Sequence, residues 1–278
     1  MSGRDTIVVI SSHVARGAVG NRVIVPVLEA AGYDVWALPT VVLPYHPGLG
    51  RGTRLVPEAA VFDAMLDELL ASGVGSVRAI VSGYLGAPQQ ADAVARFVQA
   101  VKAQRAECRY ICDPVMGDNR GLYVPEATAA AMRDVLVPLA DVITPNRYEH
   151  DWLTGQRCDV LADWVVSSKR LAPPVQIITS APGGGLADIG NLMVTGQAAH
   201  YCGHAQFDDV PHGTGDLVSG LAAMHCDDAR PPEVALARIT GHVFDAVRTT
   251  YHSGADDLDT RPASGSTDTQ LQVHRIEL

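Results

Sequence analysis

Gly213-Thr214-Gly215-Asp216-Leu217-Val218-Ser219-Gly220-Leu221-Ala222, residues 213–222, joins a glycine-flanked turn to an apolar run of helical period. At such a junction the first backbone N–H groups of the helix lack an intrahelical acceptor and sit at the positive end of its dipole, which suits them to phosphate oxygens. Glycines at 213 and 215 let that backbone come close to a ligand. A carboxylate beside a phosphate is out of place electrostatically unless it takes a proton from an attacking hydroxyl, the general-base task in phosphoryl transfer. Asp is also a preferred helix N-cap, so the turn alone admits both readings of Asp216.

Upstream of this turn, β-branched apolar runs alternate with Ala/Leu/Val segments of helical period, the pattern of βα units feeding a mostly parallel sheet. The pattern predicts strands over residues 6–11, 35–38, 77–81, 109–112, 141–144 and 175–179. Helices are predicted over 20–31, 57–71, 88–104, 125–136, 147–153 and 162–171, several opening on proline, which suits a first helical turn. Residues 191–194 and 197–201, joined by Thr195-Gly196, read as an antiparallel hairpin. Helices over 215–225 and 232–251 follow, then a polar loop over 253–269 and a last short strand over 270–276. The expected fold is α/β, a central mostly parallel sheet with an antiparallel edge.

The composition bounds what such a sheet can do. With 278 residues, 47% of them hydrophobic and 19% charged, the chain can bury a large core, and one domain over residues 1–278 is the preferred division. No apolar stretch approaches the roughly 18 residues of a membrane span, and residues 1–5 are polar, so the expectation is a soluble, cytoplasmic protein with no membrane partner. Cys108, Cys112, Cys158, Cys202 and Cys226 form no Cys-x-x-Cys pair and fit reduced thiols. A net charge of −10 without a dense Lys/Arg run argues against nucleic acid as a partner.

Ligands of open parallel sheets sit outside the carboxyl ends of the strands. Here those ends are polar: Ser11-Ser12-His13, Ser82-Gly83-Tyr84, Asp113-Pro114, Thr144-Pro145-Asn146 with Glu149 one turn on, and Thr179-Ser180. Asp113 and Glu149 suit a hard cation such as Mg2+, which prefers carboxylate and phosphate oxygens. Tyr84 offers a flat apolar face with a polar tip for an aromatic ring, though packing under a loop would use it equally. His13 and His46 fall in expected rim loops. Gly183-Gly184-Gly185 reads better as a flexible turn than as a nucleotide cradle. A P-loop, a His-Glu-x-x-His zinc site, a Gly-x-Ser-x-Gly elbow and an early Gly-x-Gly-x-x-Gly are all missing, which removes the usual anchors of P-loop ATPases, hydrolases and dehydrogenases.

With these residues in view the chain resembles the pyridoxal kinases of the ribokinase-like superfamily. The resemblance runs through Ser12-His13-Val14 with Gly17, Val19-Gly20-Asn21-Arg22 and Pro26, then Ser82-Gly83-Tyr84, then residues 112–118 (Cys-Asp-Pro-Val-Met-Gly-Asp). It continues through Tyr123-Val124-Pro125, residues 140–146 with Glu149, Ile178-Thr179-Ser180 and the turn at 213–216. It implies a three-layer αβα ribokinase-like fold and ATP-dependent phosphorylation of the 5′-hydroxymethyl group of pyridoxal. It further implies that Asp216 is the base and that the amides of Gly213, Thr214 and Gly215 hold the transferring phosphoryl group. Ser12, Val19, His46 and Tyr84 would meet the substrate ring. Asp113, Asp118 and Glu149 would organise Mg2+ and the ATP phosphates, with Thr144, Asn146, Thr179 and Ser180 near the phosphates and a monovalent cation. ATP, Mg2+, activation by K+ and a homodimer are all implied by the family.

One departure stands out. Many family members carry Gln-Phe-Ser-Asn-His-Thr after the second strand, whereas this chain has Val42-Leu43-Pro44-Tyr45-His46-Pro47 and keeps only the histidine. Pro47 has neither hydroxyl nor N–H for a polar contact. Two alternatives therefore stand beside the pyridoxal kinase: a hydroxymethylpyrimidine kinase of thiamin synthesis, and a non-catalytic vitamer-binding protein. A sugar kinase would carry more Asn and Asp around the first loops, where this chain shows Val19, Leu43 and Pro47.

Overall fold

Successive apolar residues of the first strand, Ile7, Val8, Val9 and Ile10, are all buried, because a strand covered by helices on both faces has no side left for water. Ile7 and Val9 join one core cluster, and Val8 and Ile10 the other. A computed structural model describes residues 4–50, 52–208, 210–227, 229–260 and 271–277. In chain order the elements are β1 (Thr6–Arg16), α1 (Asn21–Ala30), β2 (Asp34–Tyr45), α2 (Ala59–Ala71), β3 (Val77–Ser82), α3 (Gln90–Gln104), β4 (Arg109–Cys112), β5 (Gly117–Asp118), β6 (Gly121–Leu122) and α4 (Glu126–Ala131). They continue as β7 (Val142–Ile143), α5 (Arg147–Thr154), α6 (Leu161–Ser168), β8 (Val175–Pro182), β9 (Ile189–Thr195), β10 (Ala199–His204), α7 (Thr214–His225), α8 (Pro232–Ser253) and β11 (Val273–Ile276).

Nine strands form one sheet in the order β11-β10-β9-β8-β7-β4-β3-β1-β2. The six from β2 to β8 are parallel, and β9, β10 and β11 add an antiparallel edge. Helices α1, α7 and α8 pack on one face, with Val23, Ile24, Leu217, Leu221 and Leu236 fully buried there. Helices α2, α3 and α4 cover the other, and α6 lays Trp164 and Val165 under β8 to β10. This is the expected three-layer α/β arrangement.

The first two strands run past their expected ends at residues 11 and 38. After an irregularity between Ser11 and His13 the ladder resumes with His13 opposite Val42, Val14 opposite Leu43 and Arg16 opposite Tyr45. Val14, Val41 and Leu43 bury together in a small apolar cluster, and that burial is the reason the strands continue. His13 and the stretch from Val42 to Tyr45 are thus strand, not rim loop. Strand β8 likewise continues to Pro182, so Thr179 and Ser180 lie within it, with Ser180 at a φ of 57° where the ladder to β9 slips.

Smaller differences have local causes. The helix expected over 125–136 is α-helical only to Ala131, widens over Met132–Leu136 and ends in a tight turn at Val137–Leu139, where Pro138 cannot donate to the helix. Pro57 and Pro88 precede the first turns of α2 and α3 rather than opening them. The β5–β6 hairpin was not expected, its strands being two residues each. Gly183 to Gly185 form the β8–β9 turn, with φ of 57° at Gly184 and 95° at Gly185. Of the expected polar loop at 253–269, residues 261–269 lie outside the described residues, as does residue 270 of the last strand.

The two glycines of the signature turn differ in kind. Gly213 has φ +99°, and a Cβ there would run into the Ala18 carbonyl oxygen, whereas a Cβ on Gly215 would meet nothing within 4 Å. Gly213→Ala is expected to lower stability by about 2–4 kcal/mol in denaturant unfolding, combining backbone strain with overpacking. Gly215→Ala is expected to stay within about 1 kcal/mol of the parent, since Ala suits a helical first turn better than Gly.

Candidate active site

Helices α1 and α7 point their N-termini at the same place. Gly213 caps α7 and touches the Ala18 carbonyl oxygen; Gly20 caps α1 at φ +55° and presses on Ser12, where a Cβ would meet the Ser12 oxygens. The Gly20 N–H donates to the Asp216 carboxylate. Along the two helices Gly220 lies beside Ile24, with a Cβ-to-Cγ2 distance of only 3.3 Å available, so the helices approach closely. Ser12, Gly20, Gly213 and Asp216 are thereby gathered at the carboxyl end of β1.

Three carboxyl groups share this end of the sheet. Asp216 is partly exposed, and burial pushes its pKa up to about 6 against the opposing pull of the Gly20 N–H. Asp113, buried at the end of β4, is raised well above the carboxylate range by burial first, then by Glu149 and Asp216. The Ser219 and Thr144 hydroxyls pull it the other way, Thr144 Oγ1 acting from outside hydrogen-bond geometry. Glu149 is raised to about 8, again chiefly by burial, although three backbone N–H groups favour its charged form. No lysine or arginine is among the principal influences on any of the three.

Glu149 is held by its helix. Its Oε2 accepts from Asn146 N at 2.9 Å, and Oε1 from Met116 N at 2.9 Å and Gly117 N at 3.4 Å. Asn146 completes a capping box, accepting from Glu149 N at 3.0 Å, and its Nδ2 donates to the Gly117 carbonyl at 2.8 Å. The pair therefore clamps the β5–β6 hairpin onto the start of α5. Thr144 is buried one residue past β7, and Thr179 is joined to this loop by its N–H to the Pro145 carbonyl at 2.9 Å.

Other expected residues are placed differently. Asp118 lies on the hairpin, bonded to Arg120 at 2.9 Å, which holds its carboxyl below the usual range. Ser180 is exposed. Val19 and Tyr84 both pack on the cluster of Val14, Val41 and Leu43, forming an apolar wall, and Arg54 covers Tyr84 with its guanidinium 5.8 Å from the ring centre. His46 stands at the end of that wall.

Four residues of this region escaped the sequence reading of the site. Gly20 holds Asp216, Ser219 faces Asp113, and the Tyr123 hydroxyl end is enclosed near Glu149, Asp113 and Asp216, though its ring is half exposed. His212 stacks on His46. Gly20, Tyr123 and Ser219 lie in stretches the sequence had singled out without a role of their own, and His212 immediately precedes the Gly213 turn.

Asp113 and Glu149 offer the carboxylate oxygens that a hard divalent cation takes. Among the described residues, the one group of three His, Cys, Asp or Glu whose donor atoms lie within 4.8 Å of one another is elsewhere, at His150, Asp151 and Cys158, so the acids of the site are spaced more widely than that. Asp151 is already committed there, to Trp164 Nε1 at 3.1 Å and Cys158 N at 3.2 Å, and the cluster joins α5 to α6. No helix of the described residues is long and apolar enough to cross a membrane.

The family description of phosphomethylpyrimidine kinase matches residues 53–260. The chain belongs to this family. A pyridoxine/pyridoxal/pyridoxamine kinase of Bordetella bronchiseptica is 35% identical over 264 residues, spanning 91% of this chain and 92% of that protein. The pyridoxal kinase PdxY of Corynebacterium diphtheriae is 30% identical over 281 residues, 96% of this chain and 98% of its own. The crystal structure of pyridoxal kinase from Entamoeba histolytica superposes with a TM-score of 0.87 at 21% identity, over 99% of this chain and 100% of that one. The ribokinase-like fold of this family is therefore the fold of this chain.

The acid cluster has a consequence for stability. Asp216 and Glu149 bind protons more tightly in the native state than in the unfolded chain, so their ionisation favours unfolding. Four histidines with lowered pKa values, His46, His150, His204 and His225, work the other way up to about pH 6.5, so the melting temperature of the nucleotide-free protein is expected to fall as pH rises from about 6.5 through about 8. Mg2+ is expected to raise it more at pH 8 than at pH 6. Differential scanning fluorimetry across this range checks both, and a cation-free maximum at pH 8 contradicts the assignment.

Proposed function

We infer that this chain is a pyridoxal kinase, transferring the γ-phosphoryl group of ATP to the 5′-hydroxymethyl group of pyridoxal with Asp216 as general base. The observation that carries this is Asp216 itself, a partly exposed carboxylate raised to about 6, bonded to the Gly20 N–H and one residue from the open backbone at Gly215. Curated relatives matched over nine tenths of this chain are named for pyridoxal phosphorylation, which supports the substrate.

In this reading the pyridine ring lies along the Val19 and Tyr84 wall, with Ser12 and His46 at its polar edges. Asp216 accepts the hydroxyl proton as the oxygen attacks the terminal phosphorus. Free N–H groups of Gly213, Thr214 and Gly215 lie where negative charge builds on the transferring group, a preorganised donor set that needs no rearrangement during reaction. Thr144 and Thr179, with the exposed Ser180, line the phosphate side, and Asn146 acts through the clamp it forms with Glu149. Asp113 and Glu149 would hold Mg2+, with Asp118 reaching in from the hairpin. When bound, that ion supplies charge neutralisation between the β- and γ-phosphates.

Family likeness also supports K+ activation, a homodimer and a cytoplasmic setting. Val42 and Leu55, exposed apolar neighbours at the β2 edge of the sheet, suit a subunit contact. The family's name favours one second reading, a kinase for hydroxymethylpyrimidine. A panel of pyridoxal, pyridoxine, pyridoxamine and hydroxymethylpyrimidine with ATP and Mg2+, read by mass spectrometry of the phosphorylated product, separates the two; ligand-dependent ATP consumption excludes a carrier without activity.

Asp216→Asn is expected to lower kcat by about 10²- to 10⁴-fold, the usual range for loss of a general base, and to leave nucleotide binding by calorimetry largely intact. In the parent enzyme kcat/KM for pyridoxal is expected to climb as pH rises through about 6, where Asp216 gives up its proton. Turnover near the parent rate in the Asn variant would end the assignment.

A further inference from the structure

His46 is fixed from two sides. Its Nδ1 accepts the Gly48 N–H at 3.0 Å, capping the tight turn Pro47–Leu49, and its ring stacks on His212 with centroids 4.1 Å apart and planes inclined by 33°. Gly48 seals the corner: a Cβ there would come within 2.8 Å of His46 Nδ1 and 3.1 Å of His212 Nε2. A ring nitrogen that accepts carries no proton, so the neutral imidazole must hold its proton on Nε2. Burial first, and His212 second, push the His46 pKa down to about 4 against a weaker pull from Asp257, so the ring is neutral in the physiological range.

We propose that His212 is a positioning residue that holds His46 as an imidazole with Nε2–H as its one remaining polar group, so that the site favours a pyridine substrate offering an oxygen acceptor beside His46, pyridoxal or pyridoxine, over the cationic amine of pyridoxamine. The proposal rests on the reading of His46 as a substrate-facing residue. An ammonium needs an acceptor, and an N–H set against it places donor against donor. Pro47 cannot compensate, having no hydroxyl and no N–H. The cost of such a mismatch at this half-exposed edge corresponds to about 3- to 10-fold in selectivity.

His212 is suited to this role by its place in the chain. It immediately precedes Gly213, so the stack joins the end of β2 to the turn that carries Asp216. The charged groups near the pair come from two further elements: Asp257, after α8, acts on His46, and Asp118, on the β5–β6 hairpin, is influenced by His212. A vitamer that disturbs His46 therefore disturbs the approach to the anion turn as well.

The test compares the parent enzyme with His212→Phe and His212→Ala. Steady-state kinetics at saturating ATP are measured with each of the three vitamers, and equilibrium binding of pyridoxal and pyridoxamine is measured in parallel. Phe keeps an aromatic face against His46 and is expected to keep the parent's preference. Ala removes the face and is expected to raise KM for pyridoxal by about 3- to 10-fold, the equivalent of one lost aromatic pair, with kcat changed less than KM. The pyridoxal-to-pyridoxamine ratio should fall with it. An Ala variant with the parent's KM and vitamer ratio overturns the proposal, as does a Phe variant that loses as much as Ala. A parent that turns over no vitamer overturns the kinase reading instead, and the binding ratios of the three proteins still decide the role of His212.

Discussion

Everything at the site depends on the close meeting of two helix N-termini. Gly20 and Gly213 let α1 and α7 converge until backbone touches backbone, at Ser12 on one side and Ala18 on the other. No side chain fits at either point, and both residues hold positive φ. The convergence puts two sets of unpaired N–H groups and the positive ends of two dipoles around a single carboxylate. Asp216 uses one of those groups, from Gly20. In the proposed reading a general base and an anion site are products of one packing contact, and neither can be displaced without the other.

The remaining acids make sense only against that contact. Burial raises the energy of the charged state of Asp113, Glu149 and Asp216, neighbouring acids add to it for Asp113 and Glu149, and the upward shifts express that cost. Glu149 offsets part of it with three backbone N–H donors and in doing so anchors the hairpin of β5 and β6. The charge of the site is consequently built into its architecture. A magnesium nucleotide brings both a cation for the acids and an anion for the helix termini, which neither free Mg2+ nor a neutral ligand provides.

Much of this was legible in the sequence, and the gaps have physical causes. The parallel core could be read because strands buried on both faces are continuously apolar, as in Ile7 to Ile10, and the signature turn because glycines flanking an aspartate at a helix start narrow its uses to a cap or an anion site. The extension of β1 and β2 could not, since Pro39, Pro44 and the polar Ser11-Ser12-His13 look like loop; what holds them in strand is the non-local burial of Val14 against Val41 and Leu43. Glu149 was read as a cation ligand from its type alone, and its capping box with Asn146, a spacing of three, was also present in the sequence. Asp118 shows the limit of that approach: a carboxylate in the right block is bonded to Arg120 on a two-residue hairpin that no propensity argument would have found. Gly20 and His212 depend on contacts across the fold, which periodicity does not encode.

The division between rigid and adaptable parts follows from the same geometry. In the proposed reading phosphoryl transfer is served by residues at helix termini and strand ends whose positions are set by backbone contacts, leaving little room for variation. Ring recognition would fall to the arm formed by the extended ends of β1 and β2, held by the small Val14, Val41 and Leu43 cluster with Val19, Val56 and Tyr84 packed on it. Apolar contacts of this kind discriminate weakly, about 10- to 200-fold per methylene-sized difference, whereas a buried polar contact can discriminate far more strongly. With Val42, Pro44 and Pro47 where the family's run carries Gln, Ser and Thr, the arm in this reading supplies chiefly shape and leaves His46, beside Ser12, as its polar determinant among substrates of nearly equal size. Because Pro47 also initiates the turn that His46 caps, the substitution that removes a polar contact is the one that orders the histidine.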